Sequence, residues 1–80
     1  MRSRVVHVKA IWDKDARVWV AVSEDVPGLA TEAETLEQLI EKLQAMIPEL
    51  LEANGLLDNN EGEISFHLLS ERTEITKVGA

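Results

Sequence analysis

The residues able to do acid–base, nucleophilic or metal chemistry are few and scattered along this chain. The two histidines, His7 and His67, stand near its opposite ends. An imidazole serves as a general base or a metal ligand, and these two would meet only if their segments ran side by side. A zinc centre takes at least about three protein ligands, and no third ligand sits at a suitable spacing, so they read as surface-strand residues and no metal site is expected. The paired carboxylates are turn-like: Asp13 with Asp15, and Glu24 with Asp25. Acid–base pairs need burial or mutual repulsion to separate their pKa values, whereas turn carboxylates are solvated and cap backbone amides. Ser3, Ser23, Ser65 and Ser70 have no evident triad partners. With no cysteine, disulfides, thiolate metal sites and a cysteine nucleophile are excluded. "PGLATEAET" has one glycine, too few for a phosphate cradle. No catalytic residue and no cofactor is expected, and the sequence points away from an enzyme.

Size and charge narrow the classes further. Eighty residues make one small domain, and a chain this short buries only about 60% of its unfolded surface. No apolar run approaches the ~20 residues of a membrane span, and the N-terminus lacks the pattern of a signal peptide. A cytoplasmic protein without membrane contact is expected. The formal net charge is −7, which gives no basic footprint for nucleic acid. From Glu24 to Glu63 there are eleven acids and one base, Lys42, while Arg2, Arg4, Lys9, Lys14 and Arg17 make the first segment mildly basic. Such an acidic middle repels phosphate and attracts basic partners. A solvated acidic face that keeps the chain soluble is the simpler account than a dedicated docking surface.

Several short elements must position these residues. "RVVHVKAIW" (Arg4–Trp12) and "RVWVAVS" (Arg17–Ser23) are rich in β-branched residues and read as two strands joined by the turn Asp13–Ala16. A hairpin here sets Ile11 opposite Val18 and Ala10 opposite Trp19. "EDVPG" is a turn: Pro27 fixes its own φ, and Gly28 can take φ > 0. "LATEAE" fits a short third strand. Thr35 precedes Gln38 at the spacing of a capping box. Leu36, Leu39, Ile40, Leu43, Ile47, Leu50 and Leu51 then form one apolar stripe at helical steps. Pro48 predicts a kink near Gln44–Ile47 or a second short helix, and "ANG" (Ala53–Gly55) a C-cap. "LLDNNEGE" reads as a polar loop. "ISFHLLS" (Ile64–Ser70) reads as a strand with Ile64, Phe66 and Leu68 on one face, followed by a continuation, an edge strand or a tail.

Alternation gives each strand two faces. One carries Val6, Val8, Ala10, Trp12, Trp19 and Ala21. The other carries Val5, His7, Lys9, Ile11, Val18, Val20 and Val22. The helix belongs on the first, where the alanines make room for the leucine stripe, and the two tryptophans on that face are either core beneath the helix or an interface anchor. The second face is left over, and Val5, Ile11, Val18, Val20 and Val22 become a candidate partner or dimer interface. A symmetric homodimer through this face or the edge of the third strand is expected, unless Glu71–Val78 folds back over it.

The segment "VPGLATEAETLEQLIEKL" resembles the HicB-type antitoxin domain. Asp25, Val26, Pro27 and Gly28 match its Asp-Leu-Pro-Gly turn, Thr31 its following threonine, and Glu34 and Thr35 its helix cap. Leu29 and Ala33 stand where that family has cysteine and glycine. The likeness covers roughly residues 4 to 70 and is greatest to short, uncharacterised HicB-like chains in which the helix runs on into "PELLEANG". It implies an α+β, partial RNase H-like β-β-β-α-β fold, mainly antiparallel, in the order 3-2-1-4. A right-handed crossover independently gives the same order. It further implies a non-enzymatic module that sequesters a small basic HicA-type toxin. About ten residues follow the last strand, too few for a helix-turn-helix, so no direct DNA binding is expected. The alternatives are a homo-oligomeric structural or regulatory protein with no toxin partner, and a degenerate RNase H-like nuclease.

Overall fold

The leucine stripe does form one helix, and it organises the molecule. In the computed structural model, which describes residues 2–58 and 61–79, the helix α1 spans Leu36–Ala53. Its buried residues are Leu39, Leu43, Ile47 and Leu51, each one turn beyond the last. Thr35 sits at the N-cap in an extended conformation, and its Oγ1 accepts the Gln38 N–H at 3.1 Å. Only this half of the capping box forms, because among the described residues the Gln38 side chain makes no return bond. At the other end, Gly55 takes φ 68°. Its N–H donates to the Glu52 carbonyl, and that of Leu56 to the Leu51 carbonyl, which is the Schellman closure.

Pro48 does not divide the helix: α1 runs through it, and no second helix begins there. Proline forfeits the bond to the carbonyl four residues back, here that of Gln44. Gln44 and Pro48 are both exposed, so water can take the freed carbonyl. The buried stripe on the opposite side holds the helix together across this gap.

Four strands form one sheet. β1 is Arg2–Asp13, β2 is Val18–Val22, β3 is Thr31–Ala33 and β4 is Glu61–Glu71. Their order is β3-β2-β1-β4. β1 pairs antiparallel with β2 and parallel with β4, and β2 pairs antiparallel with β3. The fold is therefore α+β with a mixed sheet in the predicted order. Among the described residues no helix is long and apolar enough to cross a membrane.

The hairpin register differs from expectation by two residues. Trp12 lies opposite Trp19 and Ile11 opposite Val20. The reason is Asp13. Its Oδ1 accepts the N–H groups of Asp15 at 3.0 Å and Ala16 at 3.1 Å, and its carbonyl accepts the Arg17 N–H at 2.7 Å. The loop thus becomes Lys14–Arg17, with Arg17 at φ 59°, rather than Asp13–Ala16. A slip of two residues leaves every side chain on its predicted face.

The helix docks on the face chosen for it. Val6, Val8, Ala10 and Ala21 are buried beneath α1, and Ile64, Phe66 and Leu68 of β4 pack against the same core. Trp19 joins them, but Trp12 does not. Trp12 lies beyond the helix, tilted against Trp19 at 5.2 Å between ring centroids, and the Arg72 guanidinium covers it at 4.2 Å. Lys42 ties the helix to β3 by donating to the Glu32 carbonyl at 2.6 Å. Residues 72–79 adopt no regular structure and are exposed, so Glu71–Val78 does not fold back over the open face.

Candidate functional site

The sheet face opposite α1 is the surface on which the chemistry-bearing residues meet. Its pattern follows from the strand registers. One row runs Glu32, Val20, Ile11, Glu71, and the next runs Val22, Lys9, Leu69. Beside them His7 pairs with His67, and then Val5 with Ser65. Val5, Ile11 and Val22 are exposed, whereas Val18 and Val20 are half-buried. Leu69 is exposed to 66% and belongs to the same patch. The sequence reading missed it, although its alternation with Leu68 places it there. The result is an apolar strip interrupted by Lys9, with Glu32 and Glu71 ending one row, and the sheet is open and concave beside His7 and His67.

The parallel pairing of β1 with β4 brings the two histidines together. Their rings meet edge to face, with centroids 5.5 Å apart. β2 stops at Val22, so no backbone partner reaches His7 from that side, and two side chains take over the ladder. The Ser23 hydroxyl donates to the His7 carbonyl at 2.6 Å. Asp25 Oδ2 accepts the His7 backbone N–H at 2.8 Å and lies 3.3 Å from His7 Nδ1. Ser23 Oγ also accepts the Asp25 N–H. The backbone N–H of His7, seconded by its ring, holds the Asp25 carboxyl below the usual carboxylate range. Among the described residues no group of three or more side chains is arranged to hold a metal.

The rest of the turn motif has a structural duty. The Leu29 N–H donates to the Val26 carbonyl at 3.2 Å, with Pro27 and Gly28 between them and Gly28 at φ 83°. This is the pattern of a type II turn. Val26 is fully buried and pins the turn to the core. The Asn54 amide donates to the Leu50 carbonyl at 2.8 Å and the Pro27 carbonyl at 3.4 Å, joining the turn to the C-terminal end of α1. Asp25, Pro27 and Gly28 thus fix the border of the open face, while Thr35 and Gln38 lie at the helix start and take no part in it. The Arg4 guanidinium donates to the Leu56 carbonyl, securing the segment after α1 to β1. A second, acidic groove beside β3 is lined by Glu32, Glu34, Glu41 and Lys42, among others.

The comparisons with known proteins carry no name for an activity. A crystal structure of the hypothetical protein TTHA1013 from the extremely thermophilic bacterium Thermus thermophilus is 51% identical, with a TM-score of 0.77. The likeness covers 91% of this chain and 100% of that one. No curated protein matches. Residues 5–80 match the family described as a domain of unknown function, DUF1902, and the chain belongs to that family.

Proposed function

We propose that this chain is a non-enzymatic, HicB-like binding module whose open sheet face captures a small basic protein of the HicA toxin type. The observation that carries the reading is the uncovered face itself, with Val5, Ile11, Val22 and Leu69 exposed around the single cation Lys9 and Glu32, Glu71 and Asp25 bordering them. An apolar centre with a charged rim is the anatomy of a protein interface, and the rim's sign, like the net charge of −7, favours a cationic partner. The residues most suggestive of catalysis have backbone duties that explain them: Asp13 closes the hairpin loop, and Ser23 and Asp25 complete the ladder at His7. The Asp25–Gly28 turn and the Thr35 cap, which carry the HicB resemblance, brace the border and the helix behind this face.

The test is retrieval of the tagged chain from its native host, with the bound protein identified by mass. A small basic protein should co-purify, be released by raised salt, and be lost from the Ile11→Asp and Val22→Asp variants. Binding that survives both substitutions would place the partner elsewhere. Metal-dependent RNA cleavage by the purified chain, abolished by His7→Ala or His67→Ala, would instead indicate a nuclease.

A further inference from the structure

We infer that two copies of this chain pair through the outer edge of β4, each lending residues 72–79 as a strand to the other. This does not rest on the proposed function, and it uses the outer edge of β4, which shares Leu69 with the open face. The three most exposed of the exposed large apolar side chains are Leu69 at 66%, Ile75 at 82% and Val78 at 98%. All three lie on β4 or the arm that follows it. The sheet order makes β3 and β4 the edges. β3 has three residues, short enough to offer no template, whereas β4 has eleven and leaves a long unpaired edge, the kind that recruits another strand.

The arm has the composition of a strand. Thr73, Ile75, Thr76 and Val78 are β-branched, and no proline or cysteine interrupts them. It lies against its own domain at Arg72, over Trp12. Past that point it extends the molecule: β1 spans roughly 40 Å, yet the long dimension is 60 Å. Residues 5–80 match the family, so the arm falls within the family's pattern.

The register follows from the side chains. In antiparallel pairing, directly opposite residues share a face. With Arg72 at the two-fold axis, Ile75 falls opposite Leu69 of the second copy and Val78 opposite Phe66 of the second copy. Moving the axis by one residue either way sets Ile75 against His67 or Glu71 of the second copy. Only the Arg72-centred register of the three matches both apolar arm residues to apolar partners. It joins the two sheets edge to edge and sets both open faces on the same side.

Sedimentation of the full chain at tens of micromolar tests this. The wild type should sediment at twice the 8.9 kDa of one chain. Combined Ile75→Asp and Val78→Asp should return it to a single chain that still unfolds cooperatively, with no loss of helical signal in far-ultraviolet circular dichroism. Val20→Asp, on the open face, should leave the dimer intact. Because the chain has no cysteine, a double variant Leu69→Cys, Ile75→Cys should cross-link between chains on mild oxidation, since antiparallel neighbours lie within disulfide reach. Leu69→Cys with Val78→Cys should not. A monomeric wild type, a dimer indifferent to the arm substitutions, one dissolved by Val20→Asp, or a missing 69–75 cross-link would each overturn the inference.

Discussion

At the scale of the residue, the most informative side chain is Asp25. Its carboxylate accepts from the His7 backbone N–H and lies beside the His7 ring, and it is held below its ordinary value of 3.8. A carboxyl depressed in the folded state adds stability that is complete above its unfolded pKa and is lost as the pH falls through the folded value. The contribution of Asp25 is therefore present at neutrality and disappears below about pH 4. Asp25→Asn should lower the melting temperature at pH 7 and flatten its decline on acidification; parallel acid limbs for the two proteins would show that this contact does not matter. Thr35→Ala should cost about 1 kcal/mol by loss of the bond to the Gln38 N–H, measured as a lower urea midpoint at unchanged slope. Gly28→Ala should cost about 1–2 kcal/mol. The added methyl has room, with Leu50 at 3.7 Å, so the penalty comes from the positive φ alone. The Thr35 cap and the Gly28 turn were legible because their chemistry is local. The hold of Ser23 and Asp25 on His7 was not, because it depends on where β2 stops, which is settled by tertiary packing.

At the scale of the element, legibility followed the strength of the period. The buried face of α1 was readable from Leu39, Leu43, Ile47 and Leu51, and the two faces of β1 and β2 from simple alternation. The hairpin register was not, because Asp13 recruits the amides of Asp15 and Ala16 and thereby moves the loop. Pro48 left a single helix or two short ones open, because its penalty is local, and the buried stripe decides for one. Two outcomes test this. Leu43→Ala should lose about 2–5 kcal/mol by opening a cavity at the centre of the core. Pro48→Ala should stabilise by up to about 3 kcal/mol, since it restores a helical bond at an exposed position. A Pro48→Ala protein no more stable than wild type would mean that the turn before Pro48 has settled into a geometry that no longer needs that bond.

At the scale of the whole molecule, β1 is the central strand and β4 its parallel neighbour, paired from Arg2 with Glu61 through Ile11 with Glu71. In synthesis β1 therefore waits for β4. Until β4 emerges, β1 has only the short β2 beside it, and the core beneath α1 lacks the wall formed by Ile64, Phe66 and Leu68. Pairing segments so far apart in sequence also makes closure slow compared with a hairpin. The nascent chain consequently stays incomplete until β4 has emerged. A ribosome-stalled chain carrying every residue up to Asp58 would remain sensitive to protease, and protection would appear abruptly once the strand through Glu71 had cleared the exit tunnel.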